Sequence, residues 1–193
     1  WHPTKNGILT SNDVTHASDK KIWWRCLKFP HHEWEATVNS RTRTLKEGKK
    51  TKLSSCPYCS GRKLCKENSL STKYPEVARQ WHPSKNYPLQ PDQVTFSSNQ
   101  KVWWQCCKYP HHEWEVSVNS RTNKQGKEKL DINCPFCLGN RVSPENCLAT
   151  KFPEIAKEWH PIKNGDLTPY SFTHGSKVKV WWQCRKYPHH EWD

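Results

Sequence analysis

The residues of this chain best suited to chemistry are cysteines and histidines that return in one register. They lie in the blocks WHPTKN…KIWWRCLKFPHHEWE, WHPSKN…KVWWQCCKYPHHEWE and WHPIKN…KVWWQCRKYPHHEWD, which open at Trp1, Trp81 and Trp159. In each block a cysteine falls 25 positions after the first tryptophan, and the second histidine of a pair six positions later. Two Cys-x-x-Cys pairs follow, CPYC at 56–59 and CPFC at 134–137. Thiolate and imidazole are the donors that tetrahedral zinc favours, and a structural zinc site closes with four of them. The first block supplies Cys26, His32, Cys56 and Cys59, and the second Cys106, His112, Cys134 and Cys137. The third offers Cys184 and His190, a half-site.

Because HHEW occurs in every block, repetition does not separate His32 from His31 or His112 from His111. The second histidine is favoured, which leaves the first as a supporting or surface group. Cys65, Cys107 and Cys147 have no matching cysteine in the other blocks and read as ordinary free thiols. A catalytic zinc keeps a position open for water, and its helical signature is HExxH. HHEW lacks that spacing, and each complete block fills four positions. A structural metal and a non-enzymatic protein are expected.

Composition agrees with a metal staple. The starts of the blocks are 80 and 78 residues apart, and all 12 tryptophans are used at four per block. Only 33% of the residues are hydrophobic, and modules of this size are marginal on core burial alone. Regular histidines beside the ten cysteines favour zinc over a disulfide framework and imply a reducing setting such as nucleus, cytosol, organelle matrix or viral particle. No apolar run approaches the ~20 residues of a membrane span. The chain has no methionine, and its outer blocks lack segments that the middle one has, so a piece of a longer protein is expected.

These ligands need elements to position them. KIWWRC and HEWEATVN read as strands of a hairpin with the first ligand pair at its tip. Alternation puts Trp34, Ala36 and Val38 on one face. Trp24 shares parity with Ile22 and Cys26, so it joins the core, while Trp23 either packs beneath a helix or offers its face to a base. A helix is expected from Pro75 to about Trp81, with Leu70, Tyr74, Val77 and Trp81 as a core stripe that Leu148, Phe152, Ile155 and Trp159 duplicate. The expected fold is a string of small α+β zinc modules over 1–64, 68–142 and 146–193, each a β-hairpin with two zinc knuckles and a short helix.

The succession PE-x-A-x-x-WHP-x-KN, VWW-x-C, HEWE, NSR and CP-x-CxG resembles the probable zinc-ribbon family, whose members are short treble-clef-like or ribbon-like domains, often in tandem. The resemblance implies as ligands the cysteine of WW-x-C, the histidine of HEW and both cysteines of CP-x-C. Those are Cys26, His32, Cys56 and Cys59, and Cys106, His112, Cys134 and Cys137. The links LKFPH, CKYPH and RKYPH are longer than the family's usual one. The resemblance also implies a nucleic-acid-associated module.

Formal net charge is +13; six thiolates and two zinc dications would change it to +11. Such a surface suits nucleic acid. The candidate phosphate contacts are Arg41, Arg43, Lys46, Lys49, Lys50, Lys52, Arg62 and Lys63, and then Arg121, Lys124, Lys127, Lys129 and Arg141. The alternative is a structural scaffold among protein subunits of a large assembly, with the basic loops serving solubility. A nuclease-type activity would need an open metal, a base and a pocket. No membrane or small-molecule partner is expected.

Overall fold

The computed structural model describes residues 1–42, 56–123 and 134–193. Each repeat is built on an antiparallel hairpin. In the first, β1 (Lys21–Arg25) pairs with β2 (Glu33–Thr37), and a one-turn helix, α1 (Val38–Thr42), follows. Two further turns, α2 (Leu70–Lys73) and α3 (Pro75–Ala78), lead to the second hairpin, β3 (Lys101–Gln105) and β4 (Glu113–Ser117), which ends in α4 (Val118–Thr122). Then come α5 (Leu148–Lys151), α6 (Pro153–Ala156) and a short hairpin of β5 (Trp182–Gln183) and β6 (Glu191–Trp192). The chain forms two compact units that interleave along the sequence. One comprises Trp1–Ala78, Pro88–Gln100 and Ser117–Asn123; the second comprises Arg79–Tyr87, Lys101–Val116 and Lys124–Asp193.

Register in the first hairpin places Trp24 opposite Trp34 and Arg25 opposite Glu33. Trp34 and Val38 are buried, as alternation requires, but Val38 is helical rather than extended. The strand ends two residues earlier than the run HEWEATVN because Thr37 caps the turn, its Oγ1 accepting from Ser40 N–H at 3.1 Å. Ser117 does the same for Ser120 at 3.3 Å. Short hydroxyl side chains favour this cap over continued extension.

The expected helix from Pro75 to Trp81 starts at Pro75 but ends early, at Ala78, and a separate turn, α2, precedes it. Proline disfavours helical geometry in the residue before it, and Tyr74 accordingly sits at φ −139°, ψ 66°. Two single turns flank that break, and Trp81 lies beyond them, bridged to Trp104. The stripe works as core in the second repeat, where Leu70 and Val77 are fully buried, but its duplicate does not, since Phe152 and Ile155 are exposed.

The WHPxKN segment is a clamp on the hairpin. His2 Nδ1 accepts from the backbone N–H groups of Thr4 and Lys5, at 3.2 and 3.1 Å, so Nε2 carries the proton and donates to Glu33 Oε1 at 2.6 Å. Lys5 pairs with the other oxygen of the same carboxylate. Lys5 and then His2 hold the Glu33 carboxyl down to about 2. Asn6 accepts from Trp23 N–H at 2.9 Å and donates to Trp23 C=O at 3.1 Å. The same three partnerships recur at His82, Lys85 and Asn86 with Glu113 and Trp103, and at His160, Lys163 and Asn164 with Glu191 and Trp181. The lysine ammonium lies over the first tryptophan of each pair, 4.4 Å from the Trp23 centroid, 4.3 Å from Trp103 and 4.4 Å from Trp181. The clamp's own tryptophan meets the second edge-on, as Trp1 does Trp24 at 5.9 Å. Trp23 is therefore neither beneath a helix nor bare. It is half-buried under a cation.

Asn86→Ala removes two hydrogen bonds that hold β3 to the clamp. It should lower the stability of the zinc-loaded protein by about 1–3 kcal/mol in a thermal or denaturant melt, with zinc stoichiometry unchanged.

Candidate metal centre

Each donor set is assembled from a hairpin tip and a separate turn. Between β1 and β2 the chain tightens so that Cys26 N–H donates to His32 C=O at 3.0 Å and His32 N–H to Phe29 C=O at 2.9 Å. These bonds close the six-position link and turn the Cys26 thiol and the His32 ring to the same side. Residues 56–61 form the second knuckle, where Ser60 N–H donates to Cys56 C=O at 3.0 Å. Gly61 ends that turn at φ +74° and Gly139 its counterpart at +75°, in the region where a side chain is strained.

The result is a compact cage. The Cys26 and Cys59 sulfurs are 3.7 Å apart, and His32 Nδ1 is 3.6 Å from Cys56 Sγ and 3.7 Å from Cys59 Sγ. In the second site the matching distances are 3.8 Å between Cys106 and Cys137, and 3.4 and 3.8 Å from His112 Nδ1 to Cys134 and Cys137. A tetrahedron with zinc–sulfur bonds of about 2.3 Å and zinc–nitrogen bonds of about 2.0 Å has S···S edges of roughly 3.8 Å and S···N edges of roughly 3.5 Å. Both Cys₃His sets fit Zn²⁺. They use the second histidine of each pair, which is 2% exposed in both sites.

Electrostatics explains why a dication belongs there. Burial, followed by the neighbouring thiols Cys26 and Cys56, pushes the Cys59 thiol up to about 12, and Cys137 is pushed equally high by burial and by Cys106 and Cys134. Cys26 differs: burial opposes its ionisation, but the backbone N–H groups of Phe29 and Lys28 outweigh that and lower its pKa. Three sulfurs in contact cannot all carry charge without a cation between them.

Two carboxylates complete the sites, and both escaped the sequence reading. Glu67 Oε2 lies 3.3 Å from His32 Nε2, and its Oε1 lies 2.9 Å from His31 Nε2. Glu145 repeats this with His112 at 3.0 Å and His111 at 2.8 Å. With Nδ1 turned to the metal, Nε2–H donates to the carboxylate, which fixes the ring and raises its basicity. The exposed first histidine thus supports the carboxylate that orients the second. Each glutamate lies eight positions after its last ligand cysteine, a shared spacing that would have revealed it. Aromatic rings hold the imidazole from the side, with Tyr58 stacked on His32 at 4.8 Å and Phe136 on His112 at 4.7 Å. Asn68 and Asn146 tie each Cys-x-x-Cys turn to the chain that follows. Asn68 Nδ2 donates to Tyr58 C=O at 2.6 Å and Lys63 C=O at 2.7 Å.

Cys184 and His190 keep the knuckle, with Cys184 N–H donating to His190 C=O at 2.9 Å, but no third Cys₃His set forms among the described residues. Cys65, Cys107 and Cys147 lie outside both sets. Of the basic candidates, Arg62, Lys63 and Arg141 are exposed, Arg41 is half-buried and Arg121 is only 6% exposed. Arg41 stacks on Trp24 and Trp34, at 4.8 and 5.2 Å. Arg43, Lys46, Lys49, Lys50, Lys52, Lys124, Lys127 and Lys129 lie outside the described residues.

Against known protein families, the chain matches the model of a probable treble clef zinc finger domain three times, over residues 1–62, 77–140 and 155–193. No curated protein matches it.

Chelation should abolish cooperative unfolding, because zinc supplies roughly 10–16 kcal/mol in sites of this kind; circular dichroism with and without a strong chelator checks this. Zinc affinity should rise with pH through neutrality, since the raised thiols of the empty sites must lose their protons on binding. Calorimetry in buffers of different ionisation enthalpy counts those protons. Glu145→Ala should weaken zinc binding at the second site about 10- to 100-fold in a competition titration while leaving the first site tight.

Proposed function

The chain belongs to the probable treble clef zinc finger family, and from that premise we propose that it is a non-enzymatic nucleic-acid-binding protein whose zinc sites hold a basic surface in shape. The observation that carries this reading is a concavity of about 350 Å³ beside the first site, where three cations, Arg41, Arg62 and Lys63, and the Ser40 hydroxyl outnumber the one carboxylate, Glu35, over Trp34. Cations from two segments, one after the hairpin and one after the Cys-x-x-Cys turn, meet at one place.

Like charges gathered in this way favour an anion between them. The Arg41 guanidinium sits below its ordinary pKa, mainly because it is buried and further because of the Arg62 charge, although Cys56 acts in the opposite direction. A phosphate would offset the repulsion and accept from a fixed guanidinium, an ammonium and a hydroxyl together. Because Trp34 is buried beneath Arg41, the pocket favours backbone phosphate over a stacked base. Affinity with little sequence preference follows. The zinc sites have all four positions taken by protein donors, which suits a structural metal rather than hydrolysis.

The test is fluorescence anisotropy with labelled duplex DNA, single-stranded DNA and RNA across a salt series. Binding that neutralises about six phosphates gives a log–log slope near −5 on duplex DNA. Arg62→Ala with Lys63→Ala should weaken binding on all sequences alike and lower that slope by about two. Affinity that ignores salt, or a double variant that binds as the parent does, would overturn the proposal and favour a scaffold among protein subunits.

A further inference from the structure

The two zinc sites share their donors, their glutamate and their asparagine, but a thiol stands beside the first where a hydroxyl stands beside the second. Cys65 follows Cys59 by six positions, and Ser143 follows Cys137 by six. The backbone is held in the same way at both: Cys65 N–H donates to Asn68 Oδ1 at 2.9 Å, and Ser143 N–H to Asn146 Oδ1 at 2.8 Å. The Asn68 amide donates on to Tyr58 C=O at 2.6 Å, so one side chain joins the backbone at Cys65 to the backbone next to Cys59. Between the two cysteines the chain folds back, with the Arg62 and Lys63 N–H groups both donating to Pro57 C=O, at 2.8 and 3.0 Å. In the second repeat, Ser143 and Cys137 line one cavity of about 130 Å³ together with His112 and Glu145. In the first, Cys65 takes the place of Ser143, and its thiol lies against the carboxylate of Glu67, the partner of His32. Cys65 is half-buried and belongs to neither donor set.

Among the three cysteine donors of the first site, Cys59 is the accessible one. It is exposed, whereas Cys26 and Cys56 are 9% and 8% exposed. The Cys26 sulfur also accepts from the Phe29 and Lys28 N–H groups, which draw charge from it. A thiolate held by zinc stays deprotonated, the form that attacks an electrophile, and exposure decides which of the three does so.

We propose that Cys59 and Cys65 form an oxidation site, at which hydrogen peroxide closes a disulfide that opens the first zinc site and leaves the second intact. The Cys59 sulfur attacks one peroxide oxygen, the O–O bond breaks, and hydroxide leaves to take a proton from solvent. The sulfenic acid so formed is no longer a thiolate donor. The Cys65 sulfur then attacks the Cys59 sulfur, the S–O bond breaks, and the hydroxyl departs as water with the Cys65 proton. The two sulfurs together lose the two electrons that the peroxide gains. Cys65 resolves the sulfenic acid because it is free to do so, while Cys26 and Cys56 are buried and engaged as donors. Ser143 has no sulfur to offer an oxidised Cys137.

The test titrates the full zinc-loaded chain with hydrogen peroxide. A metallochromic indicator follows zinc release, and peptide mass spectrometry without reductant maps the products. One of the two zinc equivalents should leave at peroxide concentrations that spare the other, in step with a Cys59–Cys65 disulfide. A thiol reductant with added zinc should restore it. Cys65→Ser installs the residue that the second site already carries; the variant should start with both equivalents and lose the selective release. Ser143→Cys should make the second site release zinc as readily as the first. Three outcomes would each overturn the proposal: loss of both equivalents together from the parent chain, a disulfide that joins Cys59 to Cys26 or Cys56 instead, or a Cys65→Ser chain that releases zinc as the parent does.

Discussion

Three sulfurs and an imidazole nitrogen held within 4.8 Å of one another are the arrangement on which each complete module depends. Without a cation they resist ionisation: burial first, and then the neighbouring thiols, raise Cys59 and Cys137. A dication turns the same crowding into attraction. It also joins parts of the chain that have little else in common, since one donor pair belongs to a hairpin tip and the other to a turn more than 20 positions later. In a chain one-third hydrophobic, this link does much of what a larger core would do.

Around that link, the modules use polar side chains where larger proteins use extra strands and helices. His2, Lys5 and Asn6 each satisfy a defined group on the hairpin, and Asn68 ties the second knuckle to the chain beyond it. The glutamates at 67 and 145 connect these polar networks to the metal ligands through the imidazole rings. Support for the site thus runs outward through hydrogen bonds as much as through packing.

Much of this was legible in the sequence because the chain states it more than once. The cysteine donors were visible from spacing, whereas HHEW left the choice of histidine to be decided by burial, and the core face of β2 was visible from the alternation of Trp34, Ala36 and Val38. The elements that were misjudged share a cause: short polar residues whose effect is local. Thr37 and Ser117 look like strand residues until their hydroxyls are seen capping a turn. Pro75 does open a helix, and by restricting Tyr74 it also separates that helix from the turn before it, which periodicity alone runs together. Glu67 and Glu145 were passed over because an acidic residue beside a basic loop reads as a solvated charge. Arg41 and Arg121 sit in a different setting from exposed cations such as Arg62, since Arg41 lies over indoles and Arg121 is buried, and the sequence does not reveal that difference. A charge count does not distinguish a cation that serves the fold from one that serves a ligand.

The asparagine of the clamp has one more implication. Asn6, Asn86 and Asn164 each offer a carbonyl and an amide to both backbone groups of a tryptophan on the outer side of a strand. A side chain there imitates one residue of a neighbouring strand and occupies the edge that such a strand would use. Hairpins strung on one polypeptide meet at high local concentration, and bare edges would invite them to pair with each other or with other molecules. The three asparagines, with the backbone bonds of His2, His82 and His160 to the same tryptophans, cover those edges without adding a full strand.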